Sequence, residues 1–60
     1  MKVGDLVIPT SYSNYRNIYP PKVIVEVLEV VRNGVAVNKY RLEGEAEFLR
    51  GETLELISEA

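Results

Sequence analysis

Sixty residues, 47% of them hydrophobic, bound the chain to one small domain whose core lies near the lower limit for independent folding. With no cysteine and no histidine it has neither a disulfide framework nor a conventional zinc site, and the commonest general bases and nucleophiles are missing. The net charge of −2 argues against a dedicated nucleic-acid binder, yet the charge is uneven: residues 1–42 carry six Lys/Arg against three acids, and residues 43–60 carry Arg50 against six Glu.

The N-terminal Met1-Lys2-Val3-Gly4-Asp5 lacks the apolar core of a signal peptide, and the start at Met1 is read as that of a small complete gene product, cytoplasmic by default. A first strand is expected within Met1–Pro9. Gly4-Asp5 breaks it early, Leu6-Val7-Ile8 runs apolar, and Pro9 removes a ladder donor and stops it. Thr10–Lys22 follows as a long connection rich in Ser, Asn and Pro, which favour turns. It nevertheless holds three of the four tyrosines, Tyr12, Tyr15 and Tyr19, with Arg16 among them and Pro20-Pro21 behind. A long loop in a compact domain is either functional or disordered, and three aromatic rings argue against disorder.

The strongest signal comes next. Six of the nine residues Val23–Val31 are β-branched, which suits a pleated strand better than a helical turn. Asn33-Gly34 supplies the two positive-φ positions of a two-residue hairpin turn, and Val35–Leu42 returns antiparallel. The register then follows: Arg32 faces Val35, Val30 faces Val37, Val27 faces Tyr40, and Glu26 faces Arg41 as an opposite-charge pair. Near the turn the apolar side is Leu28, Val30, Val35 and Val37; farther away it switches to Val25, Val27, Tyr40 and Leu42. Such a switch predicts a strongly coiled hairpin, bent by a bulge so that each end serves a different sheet. The nine-residue run contains two glutamates and is far too short to span a bilayer, so no membrane segment is read.

Glu43-Gly44-Glu45 reads as a turn, Ala46–Leu49 as a short strand, Arg50–Thr53 as a turn, Leu54–Ile57 as the last strand and Ser58–Ala60 as a frayed tail. A rival exists for residues 45–58: Ala46, Leu49, Thr53, Leu56, Ile57 and Ala60 recur at helical spacing, which would give a hairpin sheet with a C-terminal helix. Gly51 in its middle weakens the helix by about 1 kcal/mol, so strands are favoured. The fold expected is all-β, a single five-stranded small barrel with a long first loop.

Two stretches carry a family resemblance. Val3-Gly4-Asp5-Leu6-Val7 resembles the opening strand of Src-homology-3-like (SH3-like) small barrels, including the KOW-type modules of ribosomal and transcription-elongation proteins. Glu47 to Ile57 resembles their ending, in which a one-turn segment separates the last two strands. The resemblance implies an SH3-like barrel with Thr10–Lys22 in the place of the so-called RT loop. The family's peptide-binding members carry an ALYDY-like motif and a Trp; this chain has Ser11-Tyr12-Ser13-Asn14-Tyr15 and no Trp, so proline-rich ligands are not implied. The glycine usual before a KOW motif's second strand is replaced by Pro20-Pro21-Lys22.

Catalysis is not expected, because no phosphate loop or nucleophile elbow is present and a barrel this small offers little concavity. No cofactor or metal is expected either. Glu43, Glu45 and Glu47 alternate and would share a face if extended, but the plainer reading is a self-repelling turn that keeps an edge strand from pairing. The reading preferred is a protein-interaction or assembly module, docking on a partner protein or on a second copy through a sheet edge or the loop residues Tyr12, Tyr15, Arg16, Tyr19 and Pro20, since Tyr and Arg bury area at low entropy cost. The plain alternative has those rings folded back to cap the barrel. A second function places Arg16, Lys22, Lys39 and Arg41 on nucleic-acid phosphates, with tyrosines stacked on bases. Whether the cations gather beside the tyrosines separates the two.

Overall fold

The computed structural model describes residues 1–60. Its elements are β1 (Leu6–Pro9), a 3-10 turn (Thr10–Tyr12), β2 (Lys22–Arg32), β3 (Val35–Leu42), β4 (Phe48–Arg50), a second 3-10 turn (Gly51–Thr53) and β5 (Leu54–Ser58). They form one antiparallel sheet in the order β4-β3-β2-β1-β5, with no α-helix. The helical alternative for residues 45–58 is therefore overturned: Gly51 begins a single 3-10 turn, and strands run on either side of it. No helix is long and apolar enough to cross a membrane.

The hairpin has the predicted register, with Arg32 opposite Val35, Val30 opposite Val37, Val27 opposite Tyr40 and Glu26 opposite Arg41. Its turn takes the expected left-handed backbone, φ 52° at Asn33 and 76° at Gly34. The bulge falls at Val25, between the pairs Ile24–Leu42 and Glu26–Arg41. This corrects one assignment. An unbroken period of two sets Val25 against Leu42, but the extra residue moves Ile24 onto the core face, where it is fully buried while Val25 is exposed.

Closure into a barrel is also corrected. β4 is three residues long and pairs only with β3, β5 pairs only with β1, and no ladder joins β4 to β5. The segment Ala46-Glu47, expected to lengthen β4, lies outside any strand, because Gly44 turns the chain with φ 80° and Glu45 N–H bonds back to the Leu42 carbonyl. The sheet curls without meeting itself. Its core is Val7, Ile24, Tyr40, Leu42 and Leu54, with Leu49 packed against them.

The far half of the hairpin stands clear of this core. β1 pairs with β2 only at Lys22 and Val23, and β4 pairs with β3 only over Lys39–Arg41. Both edges beyond those points are open. The apolar side there does switch, as alternation requires, but no second sheet lies on it: Leu28, Val35 and Val37 are exposed and Val30 half-buried.

The tail is not frayed. Ser58 belongs to β5, and the Ala60 N–H donates to the buried Asp5 carboxylate at 2.9 Å. The same carboxylate accepts the Lys2 N–H at 2.9 Å and Lys2 Nζ at 3.1 Å, tying both ends of the chain to the start of β1. Gly4, at φ 96°, lies so close to this clamp that an added Cβ would stand 2.9 Å from that of Ala60.

Candidate functional site

The loop between β1 and β2 is built from successive turns. Ser13 N–H and its hydroxyl both donate to the Thr10 carbonyl, Tyr15 N–H to the Tyr12 carbonyl at 2.9 Å, and Ile18 and Tyr19 N–H to the Tyr15 carbonyl at 2.9 and 2.7 Å. Four backbone N–H groups of the loop are thus satisfied by its own carbonyls, without a strand partner. These turns fold Tyr19 back onto Tyr12. The two rings stack with centroids 4.2 Å apart and planes at 15°.

Stacking does not hide them. Tyr12 remains 40% exposed and Tyr19 47%, so each ring keeps a part in solvent; the fourth tyrosine, Tyr40 on β3, is buried in the core. Tyr12, Tyr19 and Pro20 line a cavity of about 250 Å³, floored by Ile8 and Leu42 and edged by Ile18, Lys22 and Glu45. Three of the five residues singled out from the sequence therefore come together. Tyr15 is 55% exposed but does not line the cavity, and Arg16 reaches Glu55 with Nη2–Oε1 at 3.7 Å.

Ile18 is the residue that the tyrosine pattern overlooked. At 70% it is the most exposed large hydrophobic side chain of the molecule, and it sits beside the stacked pair. The signal was present, since an aliphatic residue between Asn17 and Tyr19 has no structural reason to be in a polar loop.

Cations do not gather at the tyrosines as free charges. Lys22 Nζ lies 3.7 Å from Glu45 Oε1, Arg16 is matched by Glu55, and Arg41 Nε donates to Glu26 Oε1 at 2.9 Å. Glu43, Glu45 and Glu47 form no metal-ligating group, and no three His, Cys, Asp or Glu side chains converge anywhere. Two open surface grooves of about 710 and 690 Å³ lie at the outer edge of β3 and between the first 3-10 turn and the chain before β4.

No protein-family model matches the chain, and no match to a curated protein or to a solved structure was found.

Proposed function

We propose that this chain is a non-enzymatic protein-interaction module that docks on a partner through the tyrosine loop. One observation carries the reading: an exposed, pre-stacked Tyr12–Tyr19 pair beside the exposed Ile18 and Pro20, around a shallow apolar cavity. Rigid aromatic anchors already held in place lose little entropy on binding, which is the property of interface hot spots. Of the four cations that nucleic-acid phosphates would use, Arg16, Lys22 and Arg41 each face a carboxylate and only Lys39, away from the tyrosines, does not, which favours a protein partner at this loop. We also propose that the curled, unclosed sheet is related in architecture to SH3-like small barrels. Its long first loop and the one-turn segment between β4 and β5 support that kinship, although those two strands share no ladder.

The test compares the wild type with Tyr12→Ser/Tyr19→Ser, with Ile18→Ser, and with Tyr15→Ser, which lies outside the cavity. Affinity capture from the source cells, together with light scattering, is expected to recover a partner that the first two variants lose and the third retains. A strictly monomeric chain whose captured proteins are indifferent to all three would overturn the reading.

A further inference from the structure

A second surface lies at the open edge of β3, where β4 ends. The groove of about 710 Å³ there is lined by Val30 and Val37, by the cations Arg32, Lys39 and Arg50, and by a single carboxylate, Glu52. It shares no lining residue with the tyrosine cavity, and it stands whether or not that cavity is used. Lys39 and Arg50 are direct cross-strand partners, an arrangement of like charges that destabilises a sheet. The only carboxylate that meets this group does so weakly: Glu52 contacts Arg50 at 3.4 Å with both side chains mostly in solvent. Arg32 and Lys39 have no ion-pair partner at all. A local excess of positive charge in a chain of net charge −2 calls for an outside anion.

The backbone says what form that anion takes. Val35–Asn38 of β3 have β2 on one side and no paired strand on the other, where the turn Gly51–Thr53 leaves β4 beside Asn38. Arg32 and Val35 flank the two-residue turn and bond each other, so by alternation the groups of Ala36 and Asn38 point to the open edge. Beside this edge lies the uncovered apolar side of the hairpin, Leu28, Val30, Val35 and Val37, on the same face as Arg32 and Lys39. We infer that this edge receives an extended acidic segment of a partner protein by strand addition, in line with β4. A Glu or Asp placed opposite Val37 falls diagonal to Lys39 and next in line to Arg50, on the face of those cations, while aliphatic residues at alternate positions fall on the other face, with the exposed Ala36 and Val31. Nucleic acid fits less well, because the groove offers a strand edge and valines where single-stranded bases need exposed rings. The chain's own acidic stretch is not free to fill it: Gly44 turns it, and the Glu45 carbonyl and carboxylate are held by Arg41 and Lys22.

The probe is a fluorescein-labelled, end-blocked octapeptide of alternating Val and Glu, titrated with the full chain and followed by anisotropy. Saturable binding is expected that weakens with added salt. It should fall at least tenfold in Lys39→Glu/Arg50→Glu and in Ala36→Pro, which removes an outward N–H, while Arg16→Glu and Tyr12→Ser leave it unchanged. Far-UV circular dichroism and thermal unfolding establish that each variant is folded; should Ala36→Pro not be, the charge variant carries the test alone. Absence of binding, undiminished binding by the folded charge variant, equal binding of a control octapeptide of alternating Val and Lys, displacement by oligo-dT, or a wild-type dimer that excludes the peptide would each overturn the inference.

Discussion

Asp5 is the most consequential single ionisable group in the molecule. Its carboxyl is lowered from 3.8 to about 2, chiefly by the N–H of Ala60, then by the N–H and ammonium of Lys2, with burial opposing them. A folded-state value below the unfolded one means that the carboxylate stabilises the fold fully above about pH 4, and that this contribution is lost as pH falls towards 2. Thermal unfolding followed from pH 6 to pH 2 should show Tm dropping across that window, and Asp5→Asn should start lower and lose most of the slope. A variant with the wild-type slope would mean that the chain ends are not held by this carboxylate. Gly34 presents a different single-residue argument. An added Cβ there meets nothing within 4 Å, so any cost of substitution is backbone strain at φ 76° rather than a clash. Gly34→Val should cost roughly 1–2 kcal/mol in denaturant unfolding. Unchanged stability would contradict the left-handed turn.

At the level of elements, the hairpin was the legible part, because Asn33-Gly34 fixes the turn and the turn fixes every pair down to Glu26–Arg41. Legibility stops at Val25. Ile24 and Val25 are equally β-branched, and nothing local says which of them β3 will oppose; the choice is made by the distant pairing of Lys22 and Val23 with β1. Likewise the Tyr12–Tyr19 stack depends on turns that the loop's composition permits but does not specify, so the aromatic cluster was visible and its geometry was not. The C-terminal strands were readable only because Gly51 spoils the helix that Ala46, Leu49, Thr53 and Leu56 would otherwise share. The Glu26–Arg41 pair gives an element-scale measurement. A double-mutant cycle with Glu26→Ala and Arg41→Ala should yield a coupling of about 1 kcal/mol or less, as both side chains are partly in water. Arg41→Ala alone should cost more than Glu26→Ala, since Arg41 Nη1 also donates to the Glu45 carbonyl and pins the turn after β3. Equal single-variant costs would remove that second role.

The whole molecule is more extended than its length requires. Its accessible surface is 4372 Å², where a compact chain of this mass would expose about 4,000 Å². Its radius of gyration is 11.7 Å against about 10 Å expected for sixty residues. The excess lies along one axis, 40 Å against 21 and 20 Å, and an eleven-residue strand at about 3.3 Å per residue nearly spans it. The protein is thus a small packed end, holding the core and the tyrosine loop, from which a two-stranded ribbon projects. Stability must divide along the same line, because a ribbon with two open edges and an uncovered apolar side has few contacts to lose when it opens. Native-state hydrogen exchange should therefore find the inward amides Val30, Arg32, Val35 and Val37 opening well below the global free energy, while the amide of Ile24, bonded to the Asp5 carbonyl at 2.9 Å beside the core, exchanges only on global unfolding. Uniform protection along β2 and β3 in the isolated chain would show that the ribbon is already covered, and by something other than an added acidic strand. Slowing confined to the ribbon when the Val/Glu peptide is added, with the core amides unchanged, is the response expected of an edge completed from outside.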